Sequence, residues 1–176
     1  LEVQDETGSV VVASYEALLQ TLALQETAIT VLASGFLSPG TDQAAFGLFV
    51  ALPSGGDLVE LGHSMANVQV IHNSADLAAE FVDVYLNDEL LINDFEFRTA
   101  SGFVALKAGT ESKIDIAPAS SSSSSESIFN LTTNLKTRSD YILVANGIVS
   151  GSGYDPVEPF NIYVYDMARQ EASMVG

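Results

Sequence analysis

Val68-Gln69-Val70-Ile71-His72 and, after a polar break, Phe81-Val82-Asp83-Val84-Tyr85-Leu86 decide the fold class. Apolar and polar residues alternate in both stretches at a period of two, the pattern of a strand with one face buried. Asn87-Asp88-Glu89 supplies turn chemistry before Leu90-Leu91-Ile92, so this region reads as a hairpin. Downstream, Gly102-Phe103-Val104-Ala105-Leu106 leads through Lys107-Ala108-Gly109-Thr110 to Lys113-Ile114-Asp115-Ile116-Ala117, where Pro118 ends the run. A second hairpin is expected there. Ser120 to Ser125 is an unbroken serine tract with nothing apolar to bury, expected as a mobile loop tip before Ser127-Ile128-Phe129-Asn130-Leu131.

Working outward, the chain repeats itself. Ile29-Thr30-Val31-Leu32-Ala33-Ser34-Gly35-Phe36-Leu37-Ser38 matches Tyr141-Ile142-Leu143-Val144-Ala145-Asn146-Gly147-Ile148-Val149-Ser150 at one constant offset, glycine on glycine. After a two-residue insertion, Phe46-Gly47-Leu48-Phe49-Val50 matches Phe160-Asn161-Ile162-Tyr163-Val164. In the first register Leu19 falls on Leu131 and Ala23 on Leu135. The segment from Ser14 to Leu24 is rich in helix formers, but its Thr- and Asn-rich counterpart favours a strand.

The expected organisation follows from this repeat: residues 1–62 as the C-terminal half of a first β-sandwich unit and 63–176 as a complete second unit, with the serine loop at 120–125. Leu1 reads as a processed or trimmed start. Half a sandwich leaves an apolar sheet face and open strand edges, and both invite another chain.

Composition narrows the function classes. The 176 residues carry 6 Lys plus Arg against 23 Asp plus Glu, a formal net charge of −17, with pI near 4.1. Such a surface repels phosphate backbones and anionic lipid, and no stretch approaches the roughly 18 apolar residues that a membrane helix needs, so neither nucleic acid nor membrane insertion is expected. A mean hydropathy of +0.26 suits a well-filled core or apolar surface covered by assembly. With no cysteine, disulfides, thiolate metal sites and a cysteine nucleophile are all excluded.

The stretch from Val68 to Asp76, followed by Val82-Asp83-Val84-Tyr85-Leu86-Asn87, resembles the opening pattern of a bacterial secreted family, domain of unknown function 4397. Phe97-Arg98-Thr99-Ala100-Ser101-Gly102-Phe103-Val104 and Leu106-Lys107-Ala108-Gly109 are similar to its central segment, and Ala145-Asn146-Gly147 to its closing strand. Asn73 and Ala75 depart from the family's usual alanine and proline, and the serine insertion is unusual. The resemblance implies an Ig-like sandwich, tandem arrangement, export from the cell and attachment to larger surface proteins. It carries no activity.

Candidate chemistry is sparse. His72, Ser74 and Asp76 suggest a Ser-His-Asp set, but triad members meet through the fold rather than along a few consecutive residues, and no G-x-S-x-G elbow is present. A structural His72 is the preferred reading; His63 is the other imidazole. Asp83, Asp88, Glu89, Asp94 and Glu96 supply oxygen ligands near one hairpin, yet no D-x-D-x-D-G loop, so solvated acids are preferred to a calcium site. The absence of Trp weakens both a glycosidase and a carbohydrate-binding module. Asn130-Leu131-Thr132 is a glycosylation sequon, read as chance in a bacterial protein.

The sequence is therefore read as an all-β, Ig-like antiparallel β-sandwich protein. It is expected to be an extracellular, non-enzymatic structural protein of the bacterial surface, a filament or adhesive subunit. Its partners are expected to be other copies of itself, assembled head to tail, or other surface proteins. No catalytic, cofactor-binding or metal residue is assigned, and no cofactor. A ligand-binding module of a larger exoprotein, for carbohydrate or calcium, is the alternative.

Overall fold

The computed structural model describes residues 1–17 and 26–171. Every regular element among them other than two 3-10 turns is a strand, and the chain divides into two compact units, Leu1–Ser64 and Met65–Gly176.

In unit 1, β1 (Glu2–Gln4) and β2 (Val11–Ser14) form a hairpin, while β3 (Thr30–Ser34), β4 (Gly47–Ala51) and β5 (Val59–Glu60) form an antiparallel sheet in that order. Ala13, Tyr15, Leu48, Val50 and Leu61 make a small core. Most of the Ser14 to Leu24 stretch, for which a strand is favoured, falls in 18–25, outside the described residues; Ser14 ends β2.

Unit 2 runs through β6 (Met65–His72), β7 (Phe81–Leu86), β8 (Glu89–Glu96), β9 (Val104–Lys107), β10 (Glu111–Pro118), β11 (Phe129–Asn134), β12 (Asp140–Asn146) and β13 (Asn161–Asp166). One sheet has the order β11-β10-β7-β8 and the other β13-β12-β6-β9. Their alternating apolar residues meet in a single core, with Val82, Val84, Ile114 and Ile116 from the first and Val68, Val70, Leu143 and Ile162 from the second. β6 shows the period of two directly, since Ala66, Val68, Val70 and His72 are buried and the residues between them are not.

The hairpin at 81–92 is present: β7 and β8 pair antiparallel across Asn87 and Asp88, both with positive φ (49° and 68°), as a tight primed turn requires. The second expected hairpin is not. β9 pairs with β6 in one sheet, whereas β10 pairs with β7 and β11 in the other. The turn between them crosses from sheet to sheet, with Ala108 buried and the Gly109 N–H bonded to the Leu135 carbonyl at 2.8 Å. Alternation identifies strands but not partners, and a short polar connection serves a crossing as well as a hairpin. Among the described residues, all strand pairings are antiparallel except β6 with β12, which run parallel over Asp140↔Asn67 to Ala145↔His72.

The serine tract is also more than a loop tip. Ser121 Oγ donates to Asp83 Oδ2 at 2.7 Å and lies 2.9 Å from the Tyr85 hydroxyl, and Ser124, which is buried, bonds Asp88 Oδ1. Hydroxyls anchor the tract to β7 and its turn where apolar side chains do not.

Candidate functional site

In unit 2 the chain leaves β12 through a hook. Gly147 has φ 97°, and a Cβ there would sit 2.3 Å from the Pro159 carbonyl oxygen, so only glycine lets the two backbones approach. The hook closes with the Ile148 N–H on the Glu158 carbonyl (2.7 Å), the Phe160 N–H on the Ile148 carbonyl (3.1 Å) and a parallel bridge between Ile148 and Pro159.

The segment that follows β6 locks this hook. The Asn73 N–H donates to the Ala145 carbonyl at 2.8 Å, and Ser74 Oγ to the Gly147 carbonyl at 2.7 Å. Asp76, fully buried, then accepts from five donors. Its Oδ2 takes the N–H groups of Val149 (2.8 Å) and Ser150; its Oδ1 takes the Ala78 N–H (2.9 Å), Ser150 Oγ (2.8 Å) and the Tyr154 hydroxyl (3.1 Å). Burial pushes this carboxyl up, but the bonds from Ser150, Ala78 and Tyr154 outweigh burial and hold it at about 2. The carboxylate is a structural clamp joining the end of β6 to the loop after β12.

Unit 1 contains the same hook, without the clamp among the described residues. Gly35 has φ 96°, its Cβ would fall 2.1 Å from the Ala45 carbonyl oxygen, and Phe36 bridges Ala45 in parallel. The Phe36 N–H reaches the Ala44 carbonyl (3.0 Å) and the Phe46 N–H the Phe36 carbonyl (2.9 Å). β3 and β4 thus reproduce β12 and β13 bond for bond. β12, however, lies between β13 and β6, whereas among the described residues β3 is an edge strand of its sheet, with β4 as its neighbour. Val31, at the position of Leu143, is 43% exposed where Leu143 is 2% exposed. Phe36 and Leu37 on the hook are exposed as well.

The residues singled out from the sequence fall into structural roles. His72 is fully buried; its Nε2 donates to the Ala79 carbonyl at 2.7 Å, and Nδ1 faces the Ser74 N–H at 3.4 Å. The Ser74 hydroxyl points to Gly147 and not to the imidazole, so His72, Ser74 and Asp76 do not form a relay. His63 stacks on Tyr15, centroids 4.6 Å apart.

Asp83 is buried rather than solvated, accepting from the Asp94 N–H (3.0 Å) and Ser121. The bond from Ser124 and the Lys113 ammonium hold Asp88 below the usual carboxylate range. Lys113 Nζ also lies 3.0 Å from Oδ2 of Asp115, an ion pair without hydrogen-bond alignment on a carboxylate that is fully buried. Asp83, Asp88, Glu89, Asp94 and Glu96 do not converge: among the described residues no group of three or more acidic, His or Cys side chains is placed to hold a metal ion. Asn130 is exposed on β11. No helix among the described residues is long and apolar enough to cross a membrane.

The clamp role of Asp76 was not legible in the sequence. Its signal was the pairing of each repeated glycine with a serine three residues on, Gly35 with Ser38 and Gly147 with Ser150.

Compared with known families, residues 66–161 match the family described as Domain of unknown function (DUF4397), while no curated protein matches the chain. The matched stretch contains the whole of β6 to β12 apart from Met65, together with Asp76 and the Gly147 hook, and spans more than half of the 176 residues, so the chain belongs to the DUF4397 family.

Proposed function

We propose that this chain is an extracellular structural protein of the bacterial surface, a filament or adhesive subunit, in which unit 1 is completed by a strand from another chain. In this reading unit 2 is a closed Ig-like sandwich and unit 1 corresponds to the second half of one. The observation that carries it is the contrast at the repeat: among the described residues β12 is paired on both edges and β3 on one, although the two strands end in the same glycine hook. An open edge with an exposed apolar face is a template for strand addition. A net charge of −17 favours a protein or cation partner over nucleic acid or anionic lipid.

The test is sedimentation and negative-stain microscopy of the full chain beside Ala33→Pro. Ala145, at the position of Ala33, turns its carbonyl toward β6, and in an antiparallel ladder the N–H and C=O of one residue point to the same side. Proline at 33 therefore removes an open-edge donor and leaves the ladder to β4 intact. The wild type should form concentration-dependent oligomers and the variant, folded by circular dichroism, should not. A monodisperse monomer at the highest soluble concentration would overturn the reading.

A further inference from the structure

We infer that the strand completing unit 1 runs parallel to β3 and carries a carboxylate just past its end, which docks on the backbone N–H groups of Leu37 and Ser38. The inference rests on the proposed strand completion and specifies its chemistry. In unit 2 the corresponding place holds β6, parallel to β12, with Asp76 four residues past the strand's last residue, His72. Leu37 and Ser38 stand at the positions of Val149 and Ser150, whose N–H groups share Asp76 Oδ2. The hydroxyl of Ser38 repeats that of Ser150, which donates to Asp76 Oδ1.

The unit 1 hook therefore presents two adjacent amides and a hydroxyl for an anionic group, and neither amide is bonded within the described residues. A carboxylate is held by such an N–H pair through charge-assisted hydrogen bonds, which are stronger than those to a neutral acceptor. The occupant is a segment of another polypeptide with the pattern of residues 68–76: alternating apolar residues, then a small hydroxyl residue and an aspartate two residues later. Its serine would meet the Gly35 carbonyl as Ser74 meets that of Gly147.

The test titrates the full chain with a synthetic peptide of residues 65–79 and follows backbone amide shifts. Binding should move the resonances of Val31, Ala33, Leu37 and Ser38, and a peptide with Asp76→Asn should bind about tenfold or more weakly, the loss of charge-assisted bonds. Ser38→Ala in the full chain should weaken the wild-type peptide and leave the asparagine peptide less affected. No binding, binding elsewhere, or equal affinity for the two peptides would overturn the inference. Selective binding by a chain that stays monomeric upholds it while refuting self-assembly. Self-assembly without peptide binding does the reverse.

Discussion

Asp76→Asn tests the clamp where its energetics are most exposed. The carboxylate satisfies three backbone N–H groups and two hydroxyls, and a carboxamide offers one acceptor oxygen. With that oxygen toward Val149 and Ser150, the amide NH2 faces the Ala78 N–H, donor against donor, while the Ser150 and Tyr154 hydroxyls can turn to accept. One stranded donor near the surface costs about 1 kcal/mol, and losing the charge on the two remaining backbone bonds costs about 1 to 2 more.

The acidity offers a second route to the magnitude. A carboxyl held at about 2 against an ordinary 3.8 stabilises the folded form by about 2 kcal/mol. Because the folded value is the lower one, this stabilisation is present above pH 3.8 and is lost as the pH falls from there toward 2. Urea unfolding of both proteins, followed by circular dichroism at steps from pH 7 to pH 2, measures the gap. Other depressed carboxyls, among them Asp5, Asp88 and Glu126, titrate in both proteins and cancel in the difference. The expected gap is about 2 to 3 kcal/mol at neutral pH, shrinking to about 1 at the acid end. A neutral-pH gap under about 0.5 kcal/mol, or one that does not change with pH, would refute the clamp.

Two further outcomes check other parts of the fold. Burial lowers the His72 imidazole from its ordinary 6.5, against the opposing bond to Ala79, so His72 should stay neutral through pH 6.5 with its proton on Nε2. Its contribution to stability is then complete above pH 6.5 and declines below it, and ring nitrogen shifts across pH 4 to 8 would show a proton gained at 6.5 or higher if this is wrong. Gly147→Ala should cost unit 2 about 2 kcal/mol or more, since alanine would need both a positive φ and a Cβ 2.3 Å from a carbonyl oxygen. A denaturation midpoint unchanged from the wild type would show that the hook opens freely.

By itself the sequence determined the strand runs of unit 2 and the repeat, but not β1, β2 or β5. Alternation marks β6 and β11, because a half-buried strand writes its burial into every second residue, and it also marks β7 and β10, where Asp83 and Asp115 are buried between the apolar positions. Asn87 and Asp88 marked their turn because few residues accept positive φ. The repeat located both glycine hooks, since a backbone approach that excludes a Cβ constrains the residue type wherever it recurs.

Which strands pair was decided only by the tertiary structure. Val104 and Ile114 alternate alike whether their strands form a hairpin or lie in different sheets, and here β9 joins β6 while β10 joins β7. The same holds for the buried acids. Asp83, Asp76 and Asp115 look like any solvated carboxylates in the chain, and they are buried because donors from distant segments, Ser121, Ser150 and Tyr154, and for Asp115 the nearby Lys113, meet them in three dimensions. The contrast between the filled hook and the open one belongs to this second class. Gly35 and Gly147 are equivalent in sequence, and only the parallel strand lying against β12, with no counterpart along β3 among the described residues, sets them apart.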